Sequence, residues 1–357
     1  MSVLFDSFQI GSIQLKNRLM RSATTSAFSR PDGTIRPSII ELYSDLARGG
    51  TGLIVKGHLY VLQSGKAHQG MAGISDDQHI PGLKDITKAV HENDGKIIAQ
   101  LNHAGINHKS DRAGPSEYTG NGWQSRALTE NEIEIIIKAF GDAAERALQA
   151  GFDGIQIHGA HGYLISQFLS RLVNTRDDKW GGSLKDRMNL LIRVYDEVRK
   201  RVGGIPILLK LNSDDFSPDG FTVEDSIQVS QTMYEEGIDL IEISGGGIGR
   251  KEELRSRAKH EDDTFSELAF VGHAARIRKN TGSAPMALVN GFHHRATMEA
   301  AIERGLADIV SMSRPFIREP TLATNLKEGQ DEVGCIRCDR CLGEDVFGRV
   351  MLQCQLD

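Results

Sequence analysis

Apolar residues recur along this chain in short runs, and most runs are followed by a stretch in which they return every three or four positions. The runs are Asn17 to Thr25, Gly52 to His58, Lys96 to His103, Gly154 to His158, Ile207 to Leu211, Leu240 to Ser244, Pro285 to Val289 and Ile309 to Met312. They have the length and the bounding residues of buried strands. Eight such strands alternating with helical segments predict an α/β chain closed as a (β/α)8 TIM barrel rather than an open sheet. The clearest helix follows Thr129, where TENE supplies an N-cap with Glu132 three residues on; its apolar positions run to Ala150 and Gly151 stops it. Ser183 and Asp186 open a second helix, and Thr222 to Glu236 is a third. No Pro/Ser-rich linker interrupts the alternation, so residues 1–330 read as a single domain followed by a short Cys-rich C-terminal segment, 331–357.

Composition narrows this picture. On length alone, 357 residues could make one large barrel or two ordinary domains. A hydrophobic content of 39%, a charged content of 25% and a net charge of -6 exclude a disordered chain and argue against a general nucleic-acid binder. The start, MSVLFDSFQIGS, has no basic leader before a long apolar core, and no apolar run approaches bilayer length, so a cytoplasmic location is expected. Two connections are long for barrel loops, Ile106 to Leu128 and the charged span Gly247 to Glu267. Both follow strands and should lie over the site as lids or specificity loops; a solvated surface loop is the plain alternative for the charged one.

In a barrel the C-terminal strand ends converge, so RSATT, QLNHAG, HGAHGY, LKLN, SGGG, VNGF and MSRPF should meet at one site. His158, His161 and Tyr163 follow the fourth strand in a glycine-broken turn. Two imidazoles can hold a polarised oxygen and a phenol can supply a proton, which suits reduction of a carbonyl-activated bond. A metal on the HxxH pair is disfavoured, since no HExxH pattern or neighbouring carboxylate accompanies it. Glycines and Arg314 close the last two strands, and backbone amides there with the guanidinium make a phosphate cradle.

Taken in order, KNRLMRSATT, GTGLIVKG, QLNHAG, HGAHGYLISQFLS, NTRDDKWGGS and ADIVSMSRPF resemble the old yellow enzyme family of FMN-dependent oxidoreductases, over essentially the whole chain. The resemblance implies an ene-reductase that takes reducing equivalents from NAD(P)H and delivers hydride to an α,β-unsaturated carbonyl compound. It implies that Ala23, Thr24 and Thr25 meet the flavin's pyrimidine edge, that Gly57 lets the ring lie close to the second strand, and that Gln100 bonds the same edge. By the same resemblance Lys210 sits beside the pyrimidine end, Asn290, Gly291, Ser313 and Arg314 hold the phosphate, His158 and His161 bind the substrate oxygen, and Tyr163 is the proton donor. Residues 1–330 would then be the FMN-binding barrel. There are departures from the family pattern: Lys210 stands where Arg is common and loses the bidentate fork, Ser313 replaces a common Gly, Ala23 with Thr24 replaces Pro-Met, and Ile106 replaces the usual Arg.

The cysteines Cys335, Cys338, Cys341 and Cys354 all lie in the last 23 residues, spaced Cys-x2-Cys-x2-Cys-x12-Cys. Three close thiolates with a fourth returning from further on can take the corners of a 4Fe-4S cube; zinc, or no metal, is the alternative, and disulfides are disfavoured in a cytoplasmic protein. The pattern resembles the cluster segment of the 2,4-dienoyl-CoA reductases, 2-enoate reductases and trimethylamine dehydrogenases. A cluster would relay single electrons from a separate redox partner protein, in place of NAD(P)H as direct donor. The expected partners are a small-molecule substrate, that redox protein and a second copy of the chain, with no nucleic acid and no membrane. Two other functions compete. An amine dehydrogenase or demethylase of the trimethylamine dehydrogenase type would carry Tyr where His158 stands and need an aromatic bowl, which Trp123 and Trp180 supply poorly. A tRNA dihydrouridine synthase is opposed by the acidic charge.

Overall fold

The computed structural model describes residues 2–120, 123–247, 263–343 and 347–356. The strands Leu19–Thr24 (β1), Leu53–Tyr60 (β2), Ile97–Asn102 (β3), Gly154–Gly159 (β4), Ile207–Asn212 (β5), Leu240–Ser244 (β6), Met286–Val289 (β7) and Ile309–Met312 (β8) form a closed parallel barrel, each paired with its sequence neighbour and β8 with β1. These are the strands read from the apolar runs, shifted by two residues or fewer at any end. At the end of β2, Leu59 and Tyr60 pair with Leu101 and Asn102 beyond a bulge, which carries the strand past His58.

Helices Pro37–Arg48 (α1), Ile80–His91 (α2), Glu130–Gln149 (α3), Asn189–Val202 (α4), Val223–Glu235 (α5), Val271–Thr281 (α6) and Arg295–Glu303 (α7) connect successive strands. α3 begins with the anticipated capping box, Thr129 with Glu132, and Gly151 follows it at φ +84°. α5 begins with the same device, Thr222 with Asp225. The helix expected from Ser183 stops after Leu184–Arg187 and restarts as α4, because Arg187 turns inward to donate to Leu169 O and Gly182 O. The connection after β3 folds as a small three-stranded sheet of Ala113–Gly114, Tyr118–Gly120 and Trp123–Ala127. Most of the charged span from Gly247 to Glu267, residues 248–262, lies outside the described residues.

Inside the barrel the period-two alternation of the strands stacks side chains in layers. The lower layer is apolar, with Met20, Leu53, Val55, Ile98, Leu208, Leu240, Ala287 and Ile309 in one buried cluster. The N-terminal hairpin, Phe8–Ile10 paired with Ile13–Leu15, closes the bottom with Ile10, Ile13 and Leu15 in the same cluster. Two residues further along several strands the layer becomes polar, with Ser22, Gln100, Gln156, Lys210, Glu242 and Ser311 all buried. That change marks the floor of the site.

Candidate active site

Register builds the floor. Gln100 lies opposite Gln156 across β3 and β4, and Lys210 lies opposite Glu242 across β5 and β6. Gln100 Nε2 donates to Gln156 Oε1 at 2.8 Å, and Gln156 Nε2 donates to Glu242 Oε2 at 2.9 Å. The other Glu242 oxygen accepts from Ser22 Oγ and Ser311 Oγ, both at 2.7 Å, and from Lys210 Nζ at 3.1 Å. Burial pushes the Glu242 carboxyl up, but Lys210, Ser311 and Ser22 outweigh it and hold the group below its ordinary value. Lys210 Nζ also donates to Ser22 Oγ at 2.7 Å, so its ammonium is held on two sides. A side chain here that must keep a charge in a buried place needs this kind of full satisfaction.

Above the floor opens a pocket lined by Ala23, Lys210, Asn290, Gly291, Ser313 and Arg314, together with His161, Ser244, Phe270, Cys335 and Arg337. Six of the ten expected cofactor residues therefore share one cavity. Thr24 Oγ1 is 2.6 Å from Ser313 Oγ, which joins two of them across β1 and β8. Asn290 and Gly291 sit at φ +83° and +108°, and a Cβ on Gly291 would meet Glu267 O at 2.2 Å. Only glycine fits the second position, and the turn carries backbone close to the pocket. Gly57 is equally constrained, since a Cβ there would come within 2.5 Å of Ala23 Cβ and 3.0 Å of Gln100 Oε1. Thr25 lies apart from this cavity; its hydroxyl is 3.3 Å from His68 Nε2. Arg314 lines the cavity while Nη1 pairs with Asp339 of the Cys-rich segment, so the phosphate role expected of it would compete with an ion pair for one guanidinium.

The histidine wall adjoins this cavity. His158 and His161 stand edge to face with ring centroids 5.2 Å apart, and Tyr163 lies 5.1 Å from His158 and 4.9 Å from His58. His161 is at φ +62°, its amide donating to Asn212 Oδ1 at 3.1 Å and its Nε2 2.7 Å from Ser244 Oγ. A non-glycine residue in that region carries strain of order 1–3 kcal/mol, which here turns the ring toward the pocket. His158 Nδ1 is buried and has no partner. Such an atom costs stability unless a ligand completes it, a feature of binding sites.

Burial, then His161, His58 and Lys210, hold His158 well below the usual histidine range. His161 shifts in the same direction through enclosure and Lys210, with Glu242 opposing. Its ring is exposed to the pocket, so water there weakens the shift without reversing it. Both imidazoles are neutral near pH 7 and each can offer an N–H. Burial pushes the Tyr163 phenol up to about 12, so it keeps its proton.

Glu242, Gln156, Ser22, Ser244 and His58 are site residues that pattern reading passed over. Their signal was a polar side chain at an inward position of an otherwise apolar strand, as in LIEIS and GIQIHG. Trp180 is buried in the main core, not at the pocket. Ile106, the departure after HAG, is buried and its amide donates to Gln167 Oε1 at 3.1 Å.

Cys335, Cys338, Cys341 and Cys354 line one small cavity beneath Arg314 and Arg318, and Arg318 Nη1 is 3.7 Å from Cys354 Sγ. All four are free thiols, and burial with Cys335 pushes the Cys341 thiol up. Among the described residues the cysteines do not close to the spacing of a single-ion site. No described helix is long and apolar enough to cross a membrane.

Residues 3–332 match the family described as NADH:flavin oxidoreductase / NADH oxidase. An NADH oxidase of Thermoanaerobacter brockii is 34% identical over 367 residues, covering 99% of this chain and 56% of that protein. The solved structure of a 2-naphthoyl-CoA reductase with 2-naphthoyl-CoA superposes with a TM-score of 0.91 at 29% identity, covering 99% of this chain and 57% of that one. An old yellow enzyme homologue from Zymomonas mobilis superposes at 0.78 with 26% identity, covering 97% and 98%. The chain thus spans little more than half the length of the first two.

Proposed function

The chain belongs to the NADH:flavin oxidoreductase / NADH oxidase family, and from that premise we propose an FMN-dependent ene-reductase that saturates a carbonyl-activated carbon–carbon double bond. The observation that carries the reading is the pair of neutral histidines, one with a buried unpartnered nitrogen, beside a phenol that retains its proton. FMN, when bound, supplies hydride chemistry and accepts reducing equivalents from NAD(P)H.

The remaining chemistry belongs to the protein. His158 and His161 donate N–H to the substrate's carbonyl oxygen, which draws electron density from the alkene and makes its β-carbon electrophilic. Tyr163 delivers a proton from its hydroxyl to the α-carbon. Lys210, anchored by Glu242 and Ser22, would direct positive charge at the cofactor's pyrimidine end, with Gln100 and the backbone at Ala23 and Thr24 on the same edge. Asn290, Gly291, Ser313 and Arg314 hold its phosphate. On this reading residues 1–330 are the cofactor-binding barrel and 331–357 bind a 4Fe-4S cluster through Cys335, Cys338, Cys341 and Cys354. Their shared cavity supports the cluster, and Cys335 also lines the flavin pocket.

The structural likeness to 2-naphthoyl-CoA reductase adds enoyl and aryl thioesters to the substrate classes worth testing. An amine dehydrogenase is the weaker reading, because His158 occupies the discriminating position and Trp180 is withdrawn into the core. The test is anaerobic. The yellow protein should bleach with NADH or NADPH and regain colour with cyclohexenone or an enoyl thioester. Recovery by no activated alkene, together with bleaching by a methylamine, would replace the proposal with amine oxidation. Iron and acid-labile sulfide near four each per chain are expected from anaerobic purification; a flavin-only spectrum without iron would remove the cluster.

A further inference from the structure

The loop that leaves β7 runs antiparallel to the chain entering the Cys-rich segment. Val333 N donates to His293 O at 2.9 Å, Arg295 N donates to Asp331 O at 2.7 Å, and His294 and Glu332 form a bridge pair. This pairing sets His293 Nε2 3.8 Å from Glu332 Oε2 and His294 Nε2 3.4 Å from Glu332 Oε1. One ligand atom from each of the three side chains lies within 4.8 Å of the others.

Two features separate this group from a chance surface ion pair. His294 Nδ1 lies 2.7 Å from Glu267 Oε2, and the other Glu267 oxygen accepts the backbone amides of His293 at 2.9 Å and His294 at 3.2 Å. With a cation at Nε2, a carboxylate fixed in that way holds the proton on Nδ1, the outer-shell arrangement that orients a metal-ligating histidine; without one, Glu267 and Glu332 together raise the His294 pKa. Separately, His293 Nε2 faces the same Glu332 carboxylate, while its buried Nδ1 has no partner and so lacks the outer-shell acceptor that His294 has. The two rings meet edge to face at 4.9 Å, so their nitrogens can converge without stacking.

We propose that His293, His294 and Glu332 bind a divalent transition-metal ion of the zinc class, with Glu267 as the supporting carboxylate. Two imidazole nitrogens and one carboxylate oxygen suit zinc and not calcium or magnesium, which take all-oxygen shells. His294 and Glu332 are half-exposed or more, which leaves a fourth position for water. None of the three lines the flavin pocket, so the role is structural. The ion clips the loop just past Gly291 to the chain just before Cys335, and so ties the phosphate turn to the cysteine segment.

The test uses the flavin-loaded protein, stripped with a chelator, dialysed against zinc chloride, and assayed for zinc, iron and FMN. Wild type should retain one zinc per chain that Glu332→Gln and His294→Gln lose, with iron and FMN contents unchanged. Saturating zinc should raise the melting temperature of wild type by about 5 °C and leave that of Glu332→Gln unmoved. Glu267→Gln should bind zinc roughly 10–100-fold more weakly without losing a ligand. Equal retention by wild type and Glu332→Gln, no retention by either, or a loss confined to Cys338→Ser would overturn the assignment.

Discussion

Lys210 and Glu242 face each other across β5 and β6 with Nζ 3.1 Å from Oε1, Glu242 fully buried and Lys210 nearly so beneath the pocket. The pair stabilises the fold only while both charges persist, because a lone charge left in that layer has no water to turn to. Glu242→Gln should cost about 3–5 kcal/mol, whereas Lys210→Met with Glu242→Leu should recover most of that loss and still weaken flavin binding. Thermal melts of the apoproteins and FMN titrations separate the two effects. The pH dependence has a definite sign. Glu242 titrates below its ordinary 4.5 in the fold, so its contribution is complete above that value and drains away as pH falls beneath it. Glu242→Gln should flatten the acid limb of the stability profile; an unchanged acid limb would mean that Glu242 is not the group.

His158 and His161 are expected to act as a pair of hydrogen-bond donors. Replacing either by Ala should lower kcat/KM for an enone roughly 10²–10³-fold, the scale of losing one donor to a developing oxyanion. Because both rings are held toward the neutral form, the enone half-reaction should show no histidine ionisation on raising the pH through 6.5. A rate that collapses through that value would assign the charged imidazolium to the work.

Tyr163 carries the sharpest kinetic signature. Tyr163→Phe removes one oxygen from a ring seated against His58 and His158, so the fold should be undisturbed while alkene reduction slows by roughly 10²–10⁴-fold. With the phenol pushed up to about 12, wild type should keep this step from about pH 6 to about pH 10. Stopped-flow reoxidation by cyclohexenone is the direct readout. An unchanged rate in the Phe variant would make Tyr163 a packing residue.

The barrel was legible because its strands are buried on both faces and read as plain apolar runs, from Leu19–Thr24 to Ile309–Met312. The capping boxes at Thr129 and Thr222 were equally readable, since they depend on residues three apart. The wall of His158, His161 and Tyr163 was found for the same local reason. The floor beneath it was not. Ser22, Gln156 and Glu242 come from three strands, and their partnership exists only once the barrel's register sets them side by side. The clip of His293, His294 and Glu332 escaped likewise, its two halves being far apart in sequence and joined by a bridge that no periodicity announces.

Lys56 tests how far burial can be carried without a partner. Its side chain is buried on the outer face of β2, with Nζ 5.5 Å from the centre of the Tyr43 ring and no carboxylate paired with it among the described residues. Burial first, then repulsion from the equally buried Arg21, lowers its pKa from 10.5 to about 7. The unfolded chain therefore binds a proton that the fold gives up between those values, so stability should rise with pH across that window. Below about 7 the cost is complete, a few kcal/mol by linkage. Lys56→Met has nearly the same length and no charge, so it should raise the melting temperature at neutral pH and abolish the rise on the alkaline side. A less stable Met variant, or a wild-type profile flat from neutral to alkaline pH, would mean that the ammonium is satisfied in solution by a partner the fold does not provide, and the site would then be an anion-binding one.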